Sequence, residues 1–195
     1  MTYLQKEKVL AEIAAGFNSA DILWGLGASA MLFLRGVARE YHDLDLMTAP
    51  ESDGPATEIL SKLCTETEIP FSPKYESDVF KKYEKNGVEI DLMSGFGIKT
   101  AGGIYRFVVD SPATEDCGTV LGQRIPLTTL EDWYIAYTLM GDPKNRVSSI
   151  LEKLKEKEVS HPLLLRRALN TNLLPQELRD SVNELLKIPF VNYNS

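Results

Sequence analysis

The sequence predicts an α+β fold, with strands and helices mixed over residues 1–125 and a helical subdomain over residues 126–195. Short apolar runs of strand character crowd the first part of the chain, and from Ile125 onward the apolar spacing turns helical. Between two strand-like runs, Asn86-Gly87 supplies the strongest hairpin signal that a short stretch can carry.

Residues 3–17 place Leu4, Val9, Leu10, Ile13, Ala14 and Phe17 close to the helical repeat, which predicts an amphipathic helix. The run "DILWGL" (21–26) is too brief for a helix and is bounded by glycine, so it reads as a buried strand with Trp24 in the core. Gly27 to Ser29 form a small-residue turn leading into an apolar helix over 28–36, and "HDLDLMT" (42–48) alternates as a strand does. A helix near 55–66 precedes the hairpin over 79–96. In the hairpin's second arm, Val88, Ile90 and Leu92 share one face and Glu89 and Asp91 the other. A further strand-like run, "IYRFVVD", occupies 104–110. Thr129 can cap a helix through about Met140, Pro143 can start another through about Lys157, and two more fit 161–170 and 175–187.

With 195 residues, 44% hydrophobic and 25% charged, the chain has the make-up of an ordinary globular protein large enough for a sizeable core. Its apolar runs fall far short of the roughly 20 residues that cross a bilayer, and the N-terminal stretch carries charges at helical spacing in place of a signal-peptide block. A cytoplasmic protein with no membrane contact is expected. Cys64 and Cys117 have neither metal-ligand spacing nor the pattern of a disulfide framework, and both read as unpaired thiols. The net charge of −7, with basic residues scattered among acidic ones in "KKYEK" and "EKLKEKE", disfavours a nucleic-acid partner, which calls for a clustered basic face.

Strand alternation puts Asp43 and Asp45 on one face, opposite Leu44 and Leu46, and Asp91 projects from a hairpin arm that can pair beside them. Carboxylates grouped in this way suit Mg²⁺, a hard cation bound by one or two carboxylates plus substrate phosphates. Upstream, Gly27-Ala28-Ser29 at a helix N-terminus offers backbone N–H groups to a phosphate, with Ser29 adding a hydroxyl. Each part alone has a plain structural reading. A lone Asp-x-Asp is usually a wet strand edge, Gly27 can serve a tight turn, and Ser29 can be an N-cap. The conjunction of turn, Asp-x-Asp strand and third aspartate carries the functional reading.

The order and spacing of these parts resemble the nucleotidyltransferase superfold of DNA polymerase beta, the antibiotic nucleotidyltransferases and the AbiEii-type toxins. Small bacterial members read as a glycine pair, Ser-Ala, a glycine, an arginine, a threonine and Asp-Ile-Asp-Leu. Gly27, Ser29, Ala30, Gly36, Arg39, Asp43, Leu44, Asp45 and Leu46 match that pattern. "GVEIDLM" (87–93) is similar to the family's third-carboxylate strand, and Leu130, Glu131, Asp132, Pro143 and Lys144 match a later helical segment. Ala28 replaces the second glycine, Tyr41 the usual threonine, Tyr137 a usual lysine and Asn145 a usual aspartate. The resemblance covers residues 20–157, and the helices beyond carry no motif.

The resemblance implies a mixed β-sheet flanked by helices, with Mg²⁺-dependent transfer of a nucleoside monophosphate from an NTP to a hydroxyl of a small molecule or protein, releasing pyrophosphate. Asp43, Asp45 and Asp91 would be the catalytic residues and the ligands of one or two Mg²⁺ ions, with Asp91 drawing the proton from the acceptor hydroxyl. Gly27, Ala28, Ser29, Arg39 and Lys144 would bind the nucleotide. Arg39 is equally suited to a surface ion pair, and Lys144 stands in a helix's first turn, where a cation opposes the dipole. Trp133 and Tyr137, four apart on one helix face, suit core packing better than base stacking, and His42 points away from the aspartates. The rival reading is a catalytically silent nucleotide- or partner-binding module on the same fold; Tyr137 and Asn145 favour it and the intact carboxylates oppose it. A sugar-nucleotide glycosyltransferase, whose Asp-x-Asp also holds a metal, needs a larger α/β domain before that motif. The choice of NTP, the acceptor and the oligomeric state are left open by the sequence, although acidity favours a cationic acceptor such as an aminoglycoside over RNA.

Overall fold

Thr2 starts the first helix, α1 (Tyr3–Ser19), through a capping box: its side chain accepts from the Gln5 N–H, and the Gln5 side chain accepts from the Thr2 N–H. The buried stripe is the expected one, with Val9, Leu10, Ile13, Ala14 and Phe17 in the core, while Leu4 in the first turn stays exposed. The structure, a computed structural model, describes residues 2–69, 75–142, 145–157 and 159–187. Two compact units divide the chain: Met1–Gly97 with Arg106–Thr128, and Ile98–Tyr105 with Thr129–Ser195.

The first unit holds a five-stranded mixed sheet in the order β1-β2-β6-β5-β3. Its strands are β1 (Trp24–Leu26), β2 (Leu44–Thr48), β3 (Thr65–Thr67), β5 (Val79–Lys85) and β6 (Val88–Ser94); β4 (Tyr75–Glu76) lies outside this sheet. Strand β2 runs antiparallel to β1 and parallel to β6, and β5 runs antiparallel to β6. Leu44 and Leu46 of β2 and Val88, Ile90 and Leu92 of β6 are fully buried, which is the face assignment that alternation demands. Two helices, α2 (Ala28–Leu34) and α3 (Asp53–Leu63), follow β1 and precede β3. On β1, an edge strand of the sheet, Trp24 is 1% exposed and meets Phe17 edge-on at 5.4 Å between ring centroids.

Several boundaries are tighter than the sequence suggests. The strand expected over 21–26 begins at Trp24, because Asp21 takes a left-handed turn, φ +50. The one expected over 42–48 begins at Leu44, leaving His42 and Asp43 in a bend. Five of the described strands went unpredicted: β3, an exposed Thr-Glu-Thr edge, the two-residue β4, β7 (Gly97–Thr100), and the hairpin of β9 (Cys117–Val120) with β10 (Gln123–Pro126). Both cysteines are free thiols.

In the second unit, whose Ile98–Tyr105 segment holds most of β7 (Gly97–Thr100) and β8 (Gly103–Arg106), the strand expected over 104–110 is shorter and ends at Arg106. Four helices make up the rest: α4 (Leu130–Leu139), α5 (Val147–Lys157), α6 (Pro162–Asn170) and α7 (Gln176–Leu185). Thr129 caps α4 as expected, its side chain accepting from the Asp132 N–H at 3.2 Å. Glu131 accepts from the N–H groups of Ser160 and His161 at 2.9 Å each, satisfying donors at the start of α6. No described helix is long and apolar enough to cross a membrane.

Candidate active site

The turn after β1 is tied to Asp45 of β2 and to Asp43 in the bend before it. Gly27, extended at φ −112 and ψ −173, is the N-cap of α2, and its N–H donates to the Asp45 carbonyl at 2.8 Å. Ser29 is 3% exposed, and its Oγ donates to Asp43 Oδ1 at 3.3 Å. Ala28, in the place of the family's second glycine, takes φ +43, the left-handed region that an L side chain resists.

Asp45 and Asp91 occupy matched positions of the parallel pair β2–β6, so their backbones lie about 4.8 Å apart. Across the hairpin, Lys82 of β5 is directly opposite Asp91, and its Nζ donates to Asp91 Oδ1 at 2.7 Å. Both side chains are largely covered, 18% exposed for Lys82 and 13% for Asp91. A second acid, Glu89, stands 3.9 Å from the same ammonium but is 68% exposed.

Burial pushes the Asp91 carboxyl above the usual carboxylate range; Lys82 pulls it down through its hydrogen bond and charge, while Asp43 and Glu89 push it up again. On Lys82 burial favours the neutral amine, yet the bond to Asp91 and the charges of Asp91, Glu89 and Asp43 outweigh it and raise its pKa. These directions agree. The site gathers more negative charge than one ammonium offsets, so it favours a bound proton or a further cation. Asp43, Asp45 and Asp91 carry hard oxygen donors of the kind Mg²⁺ takes, Asp45 and Asp91 on adjoining strands. Among the described residues no three His, Cys, Asp or Glu side chains gather closely enough to hold a metal ion, and Asp91 is engaged by Lys82.

The loop that delivers Asp43 is fastened to α1. Lys6, 7% exposed, donates to the Tyr41 carbonyl, and its ammonium lies over the Tyr41 ring, 4.6 Å from the centroid. Tyr3, Phe33 and Tyr41 pack ring against ring, and the Tyr3 hydroxyl donates to the Arg39 carbonyl at 3.4 Å. Tyr41, in place of the family's threonine, is therefore a packing residue, and burial, with the charge of Glu7 and the nearby Tyr3, pushes its phenol up to about 12. Arg35, at the end of α2, bonds Asp116 at 2.9 Å and the Thr128 carbonyl at 2.8 Å, fixing the far end of the same helix.

Of the residues expected at the site, Gly27, Ala28, Ser29, Asp43, Asp45 and Asp91 come together in the first unit. Arg39 is exposed, and its backbone carbonyl accepts from the Tyr3 hydroxyl. His42 is exposed, 3.8 Å from Glu40. Pro143 and Lys144 lie outside the described residues. Trp133 and Tyr137 are buried and packed together in the second unit, 5.0 Å between centroids, and the Tyr137 hydroxyl accepts from Arg146. Lys82 was missed by the sequence reading, but it could have been found by counting outward from Asn86-Gly87, since a two-residue turn sets Lys82 against Asp91.

No protein-family profile matches the sequence, and no curated protein sequence matches it. Solved structures do. A Thermotoga maritima protein assigned to the nucleotidyltransferases superposes with a TM-score of 0.59 at 22% identity, covering 80% of this chain and 96% of that one. The structure of ANT(2'')-Ia in complex with adenylyl-2''-tobramycin superposes with a TM-score of 0.56 at 14% identity, covering 94% of this chain and 98% of that one. A solution structure of ANT(2'')-Ia, described as an antibiotic-resistance factor, gives 0.55 at 16% identity, covering 95% and 91%. The fold is that of the nucleotidyltransferases.

Proposed function

We propose that this chain, built on the nucleotidyltransferase fold, transfers a nucleoside monophosphate from an NTP to a hydroxyl of a small molecule or protein. The observation that carries the reading is the register of β2 on β6, which sets Asp45 beside Asp91 while Ser29 ties Asp43 to the turn that precedes α2. Asp43 and Asp45 would hold Mg²⁺, with Asp91 adjoining. The bound ion supplies charge neutralisation at the triphosphate and at the departing pyrophosphate.

The chain's own residues do the rest. Asp91, whose carboxyl burial has already made a better proton acceptor than an ordinary aspartate, takes the proton of the acceptor hydroxyl. The hydroxyl oxygen forms its bond to the α-phosphorus as the bond from that phosphorus to the bridging oxygen breaks, and pyrophosphate leaves with the electron pair. Gly27, Ala28 and Ser29 would shape the seat of the triphosphate, and Arg39 is the cation of the same unit assigned to its charge. Little covalent chemistry falls to the protein, so positioning carries most of the rate. The acidity of the chain, and a fold neighbour bound to an adenylylated aminoglycoside, support an amino-sugar hydroxyl as the first acceptor class to try.

The test is pyrophosphate release with Mg²⁺, each of the four NTPs, and aminoglycosides or cell extract as acceptor. Asp45→Ala is expected to lower turnover by roughly 10²–10³-fold, the scale of losing one electrostatic support of the transition state. NTP-dependent thermal stabilisation without turnover under any of these conditions would instead establish the silent binding module.

A further inference from the structure

Lys82 and Asp91 face one another across a hairpin, both largely covered, with the ammonium 2.7 Å from Oδ1. A Mg²⁺ ligand comes within about 2.1 Å of the ion, so a divalent ion on the same carboxylate would sit within a few ångströms of the Lys82 ammonium, and the two cations repel one another across a covered site. To release Asp91, Lys82 would have to turn to Glu89, at 3.9 Å and 68% exposed. That exchanges a covered charge-assisted bond for a solvent-screened one. Lys82 is moreover held by strand pairing, in a register that the two-residue turn sets, rather than by a loop that could swing away.

We propose that the Lys82 ammonium permanently occupies the cation position at Asp91, so that the site takes one divalent ion with its nucleotide, on Asp43 and Asp45, where a second ion would otherwise bind at Asp91. This rests on the nucleotidyl-transfer reading. Asp91 then keeps its proton-accepting role through Oδ2, the oxygen that Lys82 does not hold. Lys82 is a positioning residue: it holds Asp91 in place and supplies its counter-charge without touching the nucleotide.

The experiment counts Mn²⁺ bound per chain by electron paramagnetic resonance, with each α,β-methylene NTP analogue at saturation, in wild type, Lys82→Met, Lys82→Arg and Asp45→Asn. One Mn²⁺ is expected for wild type and for Lys82→Arg, which keeps the cation. Two are expected for Lys82→Met, and Asp45→Asn is expected to lose the wild-type ion. Two ions on the wild-type protein overturn the proposal while leaving nucleotidyl transfer intact. One ion on a folded Lys82→Met overturns Lys82 as the occupant. No nucleotide-dependent Mn²⁺ on the wild type removes both the proposal and the reading beneath it. Should Lys82→Met fail to fold, Lys82→Gln, also uncharged, takes its place: two ions are expected, and one ion overturns Lys82 as the occupant.

Discussion

Ala28, the first residue of α2, is the strained position at the start of that helix. Its φ of +43 is left-handed, where an L residue other than glycine costs roughly 1–2 kcal/mol. Glycine loses part of that advantage through the greater freedom of its unfolded chain. Ala28→Gly is therefore expected to raise stability by about 0.5–1 kcal/mol, and Ala28→Val to lower it by about 1–3 kcal/mol, since a β-branched residue tolerates that region least. Urea unfolding reads both, and an Ala28→Gly midpoint at or below wild type would show the turn to be unstrained. At this scale the sequence was informative about identity and silent about conformation. It marks Ala28 as standing where the family has glycine, yet the hydrogen bond from Ser29 to Asp43 depends on a bend at His42 and Asp43 that no period-two pattern announces.

The β5–β6 hairpin shows what an element makes legible. Asn86 and Gly87 take φ +54 and +79, the turn that Asn-Gly favours, and its two-residue length sets every cross-strand pair down to Lys82 opposite Asp91. The β9–β10 hairpin uses the same geometry with Leu121 at φ +47 and Gly122 at φ +81, and it escaped prediction because leucine is a poor and unexpected residue there. Strand β3 escaped for a different reason: all three of its residues are exposed, so it has no buried face to write a pattern. The sheet's central strands, and with them Asp45 and Asp91, were readable because one face of each is apolar and fully buried. In Gly87→Ala the methyl meets a backbone at φ +79, and the variant is expected to lose about 1–2 kcal/mol. Because the turn also holds Lys82 against Asp91, chemical shifts of both residues should move together with the amides of β5; a loss of stability with the Lys82 and Asp91 signals unmoved would separate the turn from the site.

At the scale of the whole chain, net charge is −7, and each compact unit contains one of the two tryptophans, Trp24 in the first and Trp133 in the second. Both are buried, so in a Trp133→Phe background fluorescence reports the unfolding of the first unit alone, where a single transition for the full chain is not assured. Burial, reinforced by Asp43 and Glu89, holds the Asp91 proton more tightly in the folded unit than in the unfolded chain, in spite of Lys82. Between the unfolded and the folded pKa of Asp91, the native state therefore binds more protons, and linkage makes stability fall as pH rises through that window. The contribution is favourable below the unfolded value of about 3.9 and is lost once pH exceeds the folded one. Other carboxylates titrate over the same range, so the quantity to follow is the difference between wild type and Asp91→Asn, which removes this proton alone. In metal-free buffer between about pH 3.5 and 7, the wild-type urea midpoint should decline relative to Asp91→Asn as pH rises. Saturating Mn²⁺ and a nucleotide analogue should then restore part of the deficit at the upper end, because a cation bound only by the folded unit offsets the same crowded charge. A midpoint difference that is flat with pH, or that turns toward wild type, would mean that Lys82 already compensates Asp91 in full and that burial does not govern its charge.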